Sequence, residues 1–194
     1  MKFTETRLRG AFIIDLERIA DERGFFARSF CAEEFEARGL DPACVQCNIS
    51  HNRRRGTLRG MHYQNPPHLE SKLVRCTMGA IYDVIVDLRR GSETFSQRVE
   101  IELSQENRRM LFIPKGFAHG FQTLADDAEV FYQMSTPFVR GTEAGLRYDD
   151  AALGITWPLP VTEISVRDRQ FPMFDQNEFL LRKAVGGMDA PSAG

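Results

Sequence analysis

The stretch Lys72–Leu88, KLVRCTMGAIYDVIVDL, decides the fold. Within it Lys72 to Thr77 and Ile81 to Leu88 are short apolar runs broken by the turn-like pair Met78-Gly79, which predicts strands of ordinary length. Outward from it the same pattern, mostly of period two, recurs at Phe12–Leu16, Val99–Leu103, Arg109–Ile113, His119–Leu124 and Val130–Ser135. Arg90-Gly91-Ser92, Ser104 to Asn107, Pro114-Lys115-Gly116 and Asp126-Asp127 supply the breaks. Helical signals are confined to Cys31–Arg38, closed by Gly39, and to Asn177–Ala184. Neither is long enough to cover both faces of a parallel sheet, so an antiparallel sandwich or barrel is expected.

A chain of 194 residues carries one sizeable core, expected over residues 1–185, with 186–194 as a frayed tail. Hydrophobic residues at 42% and charged residues at 27% exclude a disordered or collagen-like chain. Lys and Arg number 25 against 27 Asp and Glu, and a net charge of −2 gives no long-range attraction toward nucleic acid or an anionic membrane. Any anionic ligand must therefore be held by local cations. The opening MKFTETRLRG has no apolar run of the signal or anchor kind, and no segment reaches transmembrane length, so a cytoplasmic protein is expected. Cys31, Cys44, Cys47 and Cys76 then read as reduced thiols. The lone C-x-x-C of Cys44 and Cys47 lacks the second pair a structural zinc site needs.

Polar residues out of place for a plain sandwich fall in three stretches. In Gly56–Gln64, GTLRGMHYQ, Arg59 and His62 lie beside glycines that would let a backbone approach a ligand. In Leu111–Phe121 a turn precedes His119 within an otherwise apolar strand, where a buried imidazole needs a hydrogen-bond partner. Ile164–Asp168, ISVRD, alone reads as a surface ion pair of little worth. Each histidine could equally be a satisfied structural one, and spacing cannot bring the three stretches together.

Added to these are DERGF at 21–25, QCNIS at 46–50, KLVR at 72–75, DVIVDLR at 83–89, PKGFAHGF at 114–121, Tyr132, Asp149-Asp150, GITWP at 154–158 and SVRD at 165–168. In this order, from about residue 3 to 172, they resemble the dTDP-4-dehydrorhamnose 3,5-epimerase family. The resemblance implies an all-β, cupin-type jelly-roll β-sandwich with short peripheral helices. It implies a homodimer whose N-terminal segment reaches the partner's site, and a nucleotide-linked 4-keto-6-deoxyhexose as substrate, handled without metal or organic cofactor.

By the same resemblance His62 is a base, with Asp168 fixing its tautomer, Lys72 sits by the O4 of an enolate, and Tyr132 is an acid on the opposite sugar face. A 4-keto group explains the set: it acidifies the hydrogens on C3 and C5, and inversion needs a proton delivered from the side the base did not use. Asp83 is the expected partner of His119. Arg23, Phe25, Gln46, Asn48, Arg59, His119, Glu143 and Arg167 match positions that contact nucleotide, pyrophosphate or sugar, arginine forks suiting phosphate.

Three departures bear on substrate choice. Arg28 stands where the family has a glutamate accepting from thymine; arginine carries donors only, which suits cytosine or guanine acceptors unless it turns to solvent or phosphate. Residues 132–138, YQMSTPF, lack the family's Tyr-Lys opening and tyrosine pair, leaving Phe138 to stack on a base. Arg167 replaces the customary lysine and keeps its charge. The leading expectation is a cofactor-independent epimerase, dTDP-4-dehydrorhamnose 3,5-epimerase-like. Alternatives are a CDP- or GDP-linked substrate, a single-centre epimerase or ketoisomerase, a metal-dependent cupin oxygenase, and a non-catalytic sugar-nucleotide binding protein. His62 is followed by Tyr63 and Gln64 rather than by a second ligand, a poor metal motif.

Overall fold

The computed structural model describes residues 1–175. In chain order the elements are β1 (Lys2–Glu5), β2 (Phe12–Asp15), β3 (Ile19–Asp21), β4 (Gly24–Phe26), α1 (Ala32–Glu36), β5 (Gln46–Asn52), β6 (Thr57–Gln64), β7 (Lys72–Met78), β8 (Ala80–Asp87), β9 (Arg98–Ser104), β10 (Met110–Ile113), β11 (Phe117–Thr123), β12 (Ala128–Met134), β13 (Glu143–Gly145), β14 (Glu163–Ile164) and α2 (Val166–Arg169). One sheet runs β1-β2-β10-β7-β12-β5 and the other β13-β6-β11-β8-β9, with β14 added to β6. Every pairing is antiparallel except β14 on β6. This is the expected jelly-roll sandwich. No helix among the described residues is long and apolar enough to cross a membrane.

Each run read as a strand is one, with ends moved by a residue or two. The expected helix Cys31–Arg38 shortens to Ala32–Glu36, and Gly39, at φ +68°, turns the chain so that Leu40 N–H reaches the Phe35 carbonyl at 3.0 Å. The predicted helix Asn177–Ala184 and the tail 186–194 lie outside the described residues. Strands β5 and β6 escaped the apolar pattern because polar side chains recur along them, including Gln46, Asn48, Ser50 and Asn52 on β5 and Arg59 and His62 on β6.

The inter-sheet core gathers Val74, Ile81, Ile85, Ile101, Leu111 and Val130 with their neighbours. Period two fails in β10 and β11, where every residue is buried. Their outer faces are covered as well. Phe35 of α1 and Met1 close over Met110 and Phe112, while Leu146, Leu153 and Phe174 pack on Met61, Val86 and Ala118. Burial of this second apolar face adds roughly 1.5–3 kcal/mol per large side chain.

The glycines of the 56–64 stretch have a different purpose from the ligand approach expected of them. Gly60, at φ +139°, faces Gly120 of β11, whose Cα lies 2.5 Å from where a Gly60 Cβ would stand. A Cβ on Gly56 would meet the Pro160 carbonyl at 2.8 Å. Small size here lets β11 and the segment leading into β14 close on β6, and that closure carries α2 to the sheet.

Candidate active site

His62 projects from β6, Lys72 from β7 and Tyr132 from β12 into one cleft, which Gln46, Asn48 and Phe138 also line. His62 and Tyr132 belong to different sheets, so they face the cleft from opposite walls. Arg59, His119 and Arg167 extend the same cavity past His62 and Lys72.

His62 is fixed by the segment that seemed a surface ion pair. Ser165 caps α2 by accepting from Asp168 N–H at 3.0 Å. Asp168 is buried rather than exposed, with Oδ1 2.8 Å from His62 Nε2 and Oδ2 accepting from Gly60 N–H at 3.2 Å. Burial pushes the Asp168 carboxyl up, but the hydrogen bond and charge of His62, with the Gly60 and Ser165 bonds, hold it below the usual carboxylate range. The Phe171 ring stands edge-on to His62 at 5.7 Å. Gly145 makes room for it, since a Cβ there would lie 2.4 Å from that ring.

Lys72 Nζ pairs with Glu70 Oε1 at 3.1 Å. Tyr132 is half-buried, and burial raises its phenol above the ordinary value, so the proton stays on at neutral pH. Its hydroxyl has no hydrogen-bond partner among the described residues. His119 Nε2 lies 2.7 Å from Asp83 Oδ1, and Asp83 is fully buried. Arg59 donates to Asn52 at 2.7 Å, and Arg167 stands 3.9 Å from Glu143. Backbone donors, Gly141 N–H among them, lower the Glu143 carboxyl. Gln46 donates to Asn48 at 3.0 Å and accepts from Phe138 N–H at 2.9 Å, which ties the loop bearing the exposed Phe138 ring to β5.

Three expected residues do not join this group within one chain. Arg23 pairs with Asp21 on the β3–β4 hairpin, Phe25 sits between the guanidiniums of Arg18 and Arg108 at 5.0 and 5.1 Å, and Arg28 donates to Glu34 at 2.9 Å. Two buried residues also line the cleft without any local signal in the sequence for a role there: Glu70, in a loop after Pro66-Pro67, and Gln64, at the end of β6. Among the described residues no three His, Cys, Asp or Glu side chains gather as a metal site. The four cysteines are free thiols.

The sequence model of the dTDP-4-dehydrorhamnose 3,5-epimerase family matches residues 5–176. The chain is similar to the enzyme of that name from Methanothermobacter thermautotrophicus, 41% identical over 183 residues, covering 93% of this chain and 98% of the relative. Its fold is similar to the crystal structure of the Bacillus anthracis dTDP-4-dehydrorhamnose 3,5-epimerase with TDP and pyrophosphate bound, at a TM-score of 0.86 and 39% identity over 89% of this chain and 99% of that one. It is also similar to the Legionella pneumophila dTDP-6-deoxy-D-glucose-3,5-epimerase in complex with dTDP-4-keto-L-rhamnose, at a TM-score of 0.84 and 38% identity over 92% and 96% of the two chains. The match runs from β1 to the end of the described residues, across both sheets and every wall of the cleft, and so this chain belongs to the dTDP-4-dehydrorhamnose 3,5-epimerase family, isomerases acting on sugar nucleotides.

Proposed function

We propose that the cleft epimerises a dTDP-linked 4-keto-6-deoxyhexose at C3 and C5 through an enolate, with His62 as base, Tyr132 as acid and Lys72 beside O4, using no metal or organic cofactor. One observation carries the reading: a histidine held by a buried aspartate and a tyrosine with an unengaged hydroxyl line the same cleft from different sheets. Because His62 Nε2 donates to Asp168, the lone pair of the neutral imidazole is on Nδ1, which takes the proton. Asp168 then balances the imidazolium, and the ammonium of Lys72 meets the charge growing on O4. The tyrosine proton arrives on the other face, which is what turns exchange into inversion. Arg59, His119 and Arg167 supply donors for the diphosphate, and Phe138 a face for the base.

The substrate is assigned to thymidine by analogy with the relatives, and the Arg28–Glu34 pair supports it, since a guanidinium engaged there does not oppose its donors to thymine N3–H. Purified protein in deuterated water with a dTDP-linked 4-keto-6-deoxyglucose should gain deuterium at C3 and C5 and yield the inverted product, followed by NMR. No exchange at either carbon overturns the proposal, and exchange at one alone favours a single-centre enzyme. In competition dTDP should bind more tightly than CDP or GDP; the reverse order would assign Arg28 to the base pocket.

We also infer a homodimer in which the β3–β4 hairpin serves a second copy's cleft. Ile19 and Phe26 on this hairpin are each 70% exposed, apolar surface that a second copy would cover. Gel filtration should give a dimer, and an active monomer would remove Arg23 and Phe25 from the site.

A further inference from the structure

We propose that Glu70 is a positioning residue for Lys72, holding its ammonium aimed where O4 becomes an oxyanion; this rests on the reading of Lys72 given above. Glu70 belongs to no strand, yet its side chain is 5% exposed and that of Lys72 11%. Each carboxylate oxygen has its own donor: Lys72 Nζ reaches Oε1 at 3.1 Å and Gln64 Nε2 reaches Oε2 at 3.1 Å. Gln64 is itself locked, its amide oxygen accepting from Val139 N–H at 2.9 Å and its NH2 also donating to the His68 carbonyl at 3.1 Å. The direction of the amide is thereby set, and with it the orientation of the carboxylate that Lys72 meets.

A lysine ammonium ends a flexible four-carbon stem and is aimed only by what it pairs with. Taken out of water alone it would be strongly disfavoured, and most of its other charged or titratable neighbours add no negative charge. His62 and Arg59 face the cleft from β6, His51 from β5, His119 from β11, Tyr132 from β12 and Arg167 from α2, while the carboxylate of Glu143 on β13 stands 3.9 Å from Arg167. Glu70 is the carboxylate in direct contact with Lys72. Removing one member of a buried pair leaves the other uncompensated, which is the costly case.

The test is Glu70→Gln, which preserves shape and removes charge. Glutamine has one acceptor oxygen, so against two fixed donors it must turn its NH2 toward either Lys72 or Gln64. In the deuterium-exchange assay kcat should fall about 100-fold while KM and dTDP affinity stay within about threefold, the pattern of an interaction made mainly in the transition state. Glu70→Asp keeps the charge on a shorter stem and should restore part of kcat. Wild-type kcat in Glu70→Gln overturns the proposal, as does a fall in kcat matched in both variants by an equal loss of dTDP affinity, the mark of a purely structural carboxylate. If Glu70→Gln fails to fold, Glu70→Asp decides: lowered kcat with intact dTDP affinity supports the assignment, and wild-type kcat overturns it. A wild type that exchanges nothing would instead strike the function proposed above.

Discussion

His62→Ala should lower the wash-in of solvent deuterium at C3 and C5 by about 10²–10⁴-fold, the range expected for losing a positioned general base, with dTDP affinity nearly unchanged. The expectation follows from how the imidazole is held. Asp168 is buried at the start of α2, which Ser165 caps, and its Oδ2 accepts from Gly60 N–H, so its carboxylate is oriented with Oδ1 on His62 Nε2. Nδ1 is then the ring nitrogen left to take a proton. In the function proposed above, nucleotide binding falls instead to Arg59, Arg167 and Phe138, which line the cavity beside His62. NMR of the exchange and a binding isotherm for dTDP separate the two effects. Undiminished exchange would remove His62 from the mechanism.

Tyr132→Phe should split two rates that the wild type keeps together. Epimer formation should fall about 10²-fold, as for loss of a general acid, whereas exchange should fall much less, since His62 can remove a proton and return a deuteron on its own face. The substitution deletes one oxygen and leaves the ring packed against the inter-sheet core, so stability should hold. Burial keeps the phenol protonated, the form an acid requires. Product analysis beside deuterium content, on the same samples, gives the ratio. Equal losses in both would make Tyr132 a structural tyrosine.

How much of this was legible in the chain differs from element to element. Strands β7, β8, β9 and β12 announce themselves as short apolar runs bounded by turns, and Gly39 ends α1 where its backbone freedom is needed. Strands β5 and β6 did not, because the side chains they turn to the cleft are polar, which erases the apolar period that identifies a strand. Glu70 had no local signal at all. A single carboxylate in a loop is ordinarily solvated, and only the folded chain puts it 5% exposed against Lys72.

The sequence by itself determined an antiparallel β fold, the inventory of His62, Lys72, Tyr132 and Asp168, and, through motifs in family order, the family. Local patterning reaches that far because alternation and turn chemistry act between near neighbours. Which strands would lie side by side, and which would face each other, is a matter of contacts between residues far apart in the chain. His62 and Asp168 are 106 residues apart, and their pairing depends on Gly56 and Gly60 letting β14 and β11 close on β6. The opposition of His62 to Tyr132 depends likewise on two sheets being stacked, and the setting of Lys72 on a loop folded back under it. Tertiary structure decided these because a side chain's chemistry follows from what is brought beside it, and spacing along the chain does not carry that.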